Sequence, residues 1–110
     1  MMFNSQYSYA HEKLGSAMDV FMCTSGRDKE KIKNIYCHYL SRLEKEDLPS
    51  NCVSKLSYIR EKLTNSEEQE KSDPDNRYGT VHWAASTLHP RSVFKIKRLI
   101  WEMYKEVEDS

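Results

Sequence analysis

PRSVFKIKRLIWEMYKEV, residues 90–107, carries the longest unbroken helical periodicity in the chain and sets the frame for the rest. Val93, Ile96, Ile100, Met103, Tyr104 and Val107 recur at three- and four-residue steps. At about 100° per residue that spacing gathers them into one stripe. Pro90 suits a first helical position, where its missing N–H would have had no partner, and Ser92 is a second candidate cap for a later start. Phe94 and Trp101 fall off the stripe. Seven residues apart, they share a flank roughly 80–100° from it by helical arithmetic, and Leu99 widens the other flank. An apolar arc this broad has two readings. Broad apolar faces normally mean burial, which makes this a central helix contacted on several sides. The sharper reading makes Phe94 and Trp101 an exposed ridge for a partner or a second copy, because aromatic side chains are favoured interface anchors.

Working outward, the 110-residue length fits one domain, residues 1–110, large enough for a single core without staples. Formal net charge is zero, so no global field draws the chain to nucleic acid or to anionic membrane. The three cysteines, Cys23, Cys37 and Cys52, are scattered and odd in number, with no CxxC pair. Reduced thiols in the cytoplasm are the simplest account. The opening MMFNSQYSYAHEK lacks a basic start followed by an apolar run, so no secretory leader is expected there. No apolar stretch approaches the roughly 18–20 residues of a membrane span.

Taken in order, residues 1–6 are expected to fray. Tyr7, Ala10, Leu14, Ala17, Met18 and Phe21 then predict a first helix over about 5–23, with Gly15 and Ala17 leaving a shallow place for another helix. Thr24, Ser25 and Gly26 break the pattern, and Ser25 with Asp28 resembles a capping box. Ile32, Ile35, Tyr36, Tyr39, Leu40 and Leu43 predict a second helix running to about residue 45, with a solvated, sign-alternating start. Tyr36 and Tyr39 read as core-edge residues rather than catalytic ones. A turn at 46–49 leads into a third helix, with Pro49 at its first position and Cys52, Leu56, Ile59 and Leu63 buried, Val53 beside them, to an end near 63 or 64. Residues 64–78 hold no aliphatic side chain and many acids, which predicts a flexible acidic loop. Asp73, Asp75 and Asn76 there lack the glycine and terminal glutamate of a calcium-hand loop, so no metal is expected. A short fourth helix follows, capped by Thr80 and striped by Val81, Ala84 or Ala85, and Leu88, with Trp83 pointing the other way. The sum is an all-α chain, a compact bundle of four to five helices with one long acidic loop.

No constellation carries chemistry. His11, His38, His82 and His89 fall in three elements, and none pairs with another His or a Cys at zinc-ligand spacing. Cys37 and His38 are adjacent on a helix and diverge by about 100°, so they make no nucleophile–base pair by themselves. The three glycines are isolated, and neither GxSxG nor HExxH occurs. The expectation is a protein without catalytic residues, metal or cofactor.

The remaining signal is charge asymmetry. Glu67, Glu68, Glu70, Asp73 and Asp75 precede a basic block of Arg91, Lys95, Lys97, Arg98 and Lys105. The bland account is a solvated loop and lysines ringing an apolar stripe. The functional account is a basic patch for an acidic partner. A nucleic-acid form of it also exists: residues 80–89, a corner and residues 90–107 outline a helix–turn–helix, with Arg91, Ser92, Lys95 and Arg98 as reading residues. That match is loose, because the supposed reading helix is the most apolar one in the chain.

The segment from Ala17 to Thr64, with its break at TSGR, its EDLP turn and its KLSYIREKLT ending, resembles a group of small uncharacterised bacterial proteins. The GTV at Gly79 and the KIKRLIWEMYKEV tail are similar too. The resemblance implies a helical fold and no site, and the 64–78 stretch departs from it.

The function expected from these residues is a non-enzymatic protein–protein interaction module, in the manner of a small regulator, inhibitor or immunity-type protein. It would act by docking on a larger protein or by self-association. Its anchors are Phe94 and Trp101, with Trp83 as a second candidate, and its charged rim is Arg91, Lys95 and Arg98. The alternative is a helix–turn–helix-like nucleic-acid-binding protein that uses the C-terminal basic helix.

Overall fold

The computed structural model describes residues 7–64 and 80–109, except for the side chains of Thr80, His82 and Trp83. In chain order it holds α1 (Ser8–Cys23), α2 (Asp28–His38), α3 (Ser50–Leu63), α4 (Thr80–Ser86) and α5 (Pro90–Asp109). Short 3₁₀ turns lie at Leu40–Arg42 and Lys45–Asp47. No strand occurs among the described residues, and the class is all-α, a helical bundle. The expected fraying of 1–6, the loop and metal-binding questions at 65–78, the Thr80 cap and the direction of Trp83 lie outside the described residues.

Helix α5 is the central element and packs against α1, α2 and α3. Ile96, Ile100, Met103 and Val107 form its buried face, with Val93 and Tyr104 half-covered at the edges. Helices α1 and α3 both run antiparallel to it. Along α1, His11 meets Tyr104 and Glu108, while Met18 and Phe21 lie beside Phe94 and Trp101. Along α3, the Asn51 side-chain amide donates to Glu106 at 2.7 Å and Tyr58 meets Lys95. Ala10, Leu14 and Ala17 from α1 and Cys52, Leu56, Ile59 and Leu63 from α3 complete the core from the two sides. Helix α4 sits on α2 and α3, with Ala84, Ala85 and Leu88 buried.

The helix ends show where local periodicity gives way to tertiary hydrogen bonding. Helix α2 stops at His38 instead of continuing to about 45, and Tyr39 leaves helical geometry at φ −127° and ψ −58°. The chain then tightens, with Arg42 N–H donating to Tyr39 O and Leu43 N–H to Leu40 O. Beyond this turn the Arg60 guanidinium from α3 donates to the Leu43 carbonyl at 2.8 Å, across 17 residues. Ser41 Oγ and Arg42 Nε take the Cys37 and His38 carbonyls, so the end of α2 is satisfied. Leu40 and Leu43 are buried as their spacing requires.

Capping also differs from the expected pattern. Ser25 does not cap α2, because the residue at that position is Arg27, with no side-chain bond. Lys31 Nζ instead reaches back to the Phe21 carbonyl at 3.2 Å and places a cation at the C-terminus of α1, where the helix dipole favours it. Pro49 precedes α3 as its cap residue instead of opening it, and its carbonyl accepts from Cys52 N–H at 2.9 Å. Ser92 is not the cap of α5. His89 is: its carbonyl accepts from Ser92 and Val93, and its Nδ1 accepts from Arg91 N–H at 3.1 Å.

Two glycines have opposite roles. Gly26, at φ 118°, turns the corner between α1 and α2 in a conformation that other residues rarely adopt. Gly15 lies in α1 against Tyr104, where an added Cβ would sit at an ordinary 3.6 Å from Tyr104 Cε1. Close approach therefore does not require a glycine there. Gly15→Ala is expected to raise stability by about 1 kcal/mol, the helix-propensity difference. Gly26→Ala is expected to lower it by about 1 kcal/mol through backbone strain. Thermal or urea denaturation of the two variants checks both signs.

Candidate docking surface

The site begins from a geometrical consequence of α5 being covered on one side. Phe94 and Trp101 lie about 130–150° from the mean direction of the buried Ile96, Ile100, Met103 and Val107, taking 100° per residue. Adding Val93 and Tyr104 to the stripe lowers the angle only to about 110–130°, so the 80–100° flank expected from the spacing is an underestimate. At this angle the neighbouring helices do not enclose them, and Phe94 is 67% and Trp101 51% exposed. Their seven-residue spacing stacks them two turns apart on one edge.

The edge faces α1. Met18 and Phe21 of α1, half-buried, form the floor of a shallow groove of about 320 Å³ whose other side is Phe94, Arg98 and Trp101. Met22, at 77% exposure, continues the apolar side of α1. Lys97 bridges the groove: its Nζ lies 5.6 Å from the Phe21 ring centre and 3.1 Å from Asp28 Oδ2. Arg98 stands between the two aromatics and pairs with Glu102 at 3.2 Å. These ion pairs are exposed, so they orient side chains more than they stabilise the fold.

The structure brings Phe94, Arg98 and Trp101 into one surface, and Lys95 borders it on the other side of Phe94. Lys95 leans toward α3, where its Nζ sits 4.3 Å over the Tyr58 ring. Arg91 is exposed at the start of α5, and Ser92 is half-buried. The Trp83 side chain lies outside the described residues. Lys97, which the sequence placed in the basic block, lies here too, whereas Met18, Phe21, Arg27 and Lys29 were not expected as parts of this surface. The last two line a second groove of about 490 Å³ that reaches Phe94 and Pro90 from the α2 side. One signal was available for α1: Phe21 and Met22 are adjacent apolar residues that point about 100° apart, which widens the apolar arc of that helix.

Among the described residues His11, Tyr104 and Glu108 meet at the far end of the α1–α5 seam, while His38, His89 and the cysteines lie apart from them. His11 stacks on Tyr104 with ring centres 5.3 Å apart, His38 tilts against Tyr39, and His89 serves as a cap. Cys23 and Cys37 are exposed, and burial pushes the Cys52 thiol above its ordinary range, which disfavours the thiolate a nucleophile needs. Among the described residues no group of His, Cys, Asp or Glu is placed to hold a metal ion, and no helix is long and apolar enough to cross a membrane.

At the other end of the α1–α5 seam, Glu108 accepts from Lys105 Nζ at 3.1 Å and from the Tyr104 hydroxyl, and its carboxyl is held below the usual carboxylate range. A depressed carboxylate stabilises the fold above its ordinary pKa, and that contribution is lost as pH falls through the lowered value. Glu108→Gln should therefore be less stable than the parent at neutral pH, and the gap should close on acidification below the carboxylate range, as read from denaturation curves. The exposed aromatics give a sharper expectation. Phe94→Ala and Trp101→Ala should each cost about 1 kcal/mol or less, as surface substitutions do. Ile100→Ala, in the core, should cost about 2–5 kcal/mol by urea denaturation.

No protein-family model, curated protein or solved structure matches the chain.

Proposed function

We propose that this chain is a non-enzymatic protein–protein interaction module that docks on a larger protein through the Phe94–Trp101 edge. The role would be that of a small regulator, inhibitor or immunity-type protein. The observation that carries this reading is the exposure of two large aromatics, 67% and 51%, two turns apart on one rigid helix beside the apolar groove formed with Met18 and Phe21. Burying such a side chain is worth roughly 1.5–3 kcal/mol, which a partner closing over the groove would recover. Helix α5 packs against α1, α2 and α3, so its anchors are preorganised and little ordering opposes docking.

The helix–turn–helix alternative has less support. Lys97 and Arg98 are already paired with Asp28 and Glu102, and Ser92 is half-covered. The free edge of α5 offers aromatic rings where phosphate contacts would have to supply most of the binding free energy.

Two measurements separate the readings. In capture from an extract of the native host, a protein retained by the parent chain should be lost with the Phe94→Ala/Trp101→Ala double variant, whose circular dichroism and denaturation midpoint should stay near the parent's. Retention of the same protein by the folded double variant, or loss of its fold, would overturn the docking assignment. Tight binding to duplex DNA that falls steeply with added salt would favour the alternative instead.

A further inference from the structure

We infer that the occupant of this groove is an acidic amphipathic helix of the partner protein, seated along α1 and α5; the identification rests on the docking reading above. The first argument is shape. The groove runs between two antiparallel helices, and its aromatic anchors are seven residues apart, about 10.5 Å or two helical turns. That interval matches apolar side chains at positions i, i+3 or i+4, and i+7 of a helix laid in the groove.

The second argument is charge. Five cations, Arg27, Lys29, Lys95, Lys97 and Arg98, line the grooves that meet at Phe94. Among the described residues the carboxylates lining those same grooves are Asp28 and Glu102. Both are engaged, with Lys97 at 3.1 Å and Arg98 at 3.2 Å. Arg27, Lys29 and Lys95 make no ion pair among the described residues: Lys29 donates to the neutral Ser86 carbonyl, and Lys95 lies over the Tyr58 ring. Among the described residues the grooves that meet at Phe94 therefore hold more cations than carboxylates, although the chain as a whole carries no net charge.

That excess also selects against the other occupants. In a two-fold dimer formed through this face, the same cation excess would meet itself. The acidic stretch at 64–78 of the chain itself has no aliphatic side chain to set against Met18 and Phe21. Nucleic acid and anionic lipid would satisfy the cations, but neither requires an apolar groove between two helices.

The test is selection from a random library of displayed peptides of about 15 residues, or four helical turns, against the full chain. Enriched peptides are expected to combine the i, i+3 or i+4, i+7 apolar pattern with net acidity. A synthetic copy of one should bind about tenfold more weakly when its acids are changed to lysine, and likewise to the Arg27→Glu/Lys29→Glu variant. Those substitutions lie at the N-terminus of α2, where acids favour the helix, and circular dichroism confirms that the variant is folded.

Enriched peptides that are basic or extended, or a library that yields no binder, would overturn the inference. So would a dimer in sedimentation that Phe94→Ala abolishes, or preferential binding of duplex DNA or phosphatidylserine vesicles through the same residues. Binding that needs Phe94 and Trp101 but is indifferent to Arg27 and Lys29 removes the acidic helix and leaves docking standing. Binding that survives the Phe94→Ala/Trp101→Ala variant removes both.

Discussion

The whole arrangement depends on how α5 is covered. Ile96, Ile100, Met103 and Val107 occupy one side of a long helix, and α1 and α3 close on that side from two directions. Two flanking helices can enclose an arc centred on those four residues, but not the opposite edge. Phe94, Arg98 and Trp101 are left there because the angular period of the helix allows nothing else. The burial that stabilises the domain and the exposure that marks its surface are consequences of the same packing.

The polar contacts act at the joints of this core. Arg60 takes the Leu43 carbonyl in the segment that carries the chain from α2 toward α3. Lys31 holds the last turn of α1, and Asn51 ties the start of α3 to Glu106 near the end of α5. Each is a single long-range bond worth on the order of 1 kcal/mol. Their effect is on geometry: they tie turns and helix ends to neighbouring helices.

The surface has a physical logic of its own. Long cations lie along apolar rings, Lys97 beside Phe21 and Lys95 over Tyr58, so their methylene stems shield carbon while their charge stays in solvent. An open aromatic edge framed this way stays compatible with water while remaining able to bury area against a matching face. Among the described residues the cation excess near Phe94 is local, and the balanced total charge of the chain does not reveal it.

The all-α class was legible in the residues, and so was most of the core. Ile32, Leu56, Ile59, Ile96, Ile100 and Met103 are buried where their spacing puts them, because amphipathic period is a local property that survives folding. The break at Thr24–Gly26 and the Pro90 start of α5 were legible for the same reason. The end of α2 was not, since apolar spacing runs through it; the His89 cap is a local contact with Arg91, Ser92 and Val93 that apolar spacing does not reveal, and the tolerance of a side chain at Gly15 depends on the space left beside Tyr104. For the candidate site, the sequence by itself determined that Phe94 and Trp101 share an edge of the last helix. Only the tertiary structure decided that this edge is open, that Met18 and Phe21 lie beside it, and that Arg27 and Lys29 add positive charge to its rim. Spacing sets an angle about one helix axis, whereas exposure and charge excess are set by which other helices arrive on each side of it.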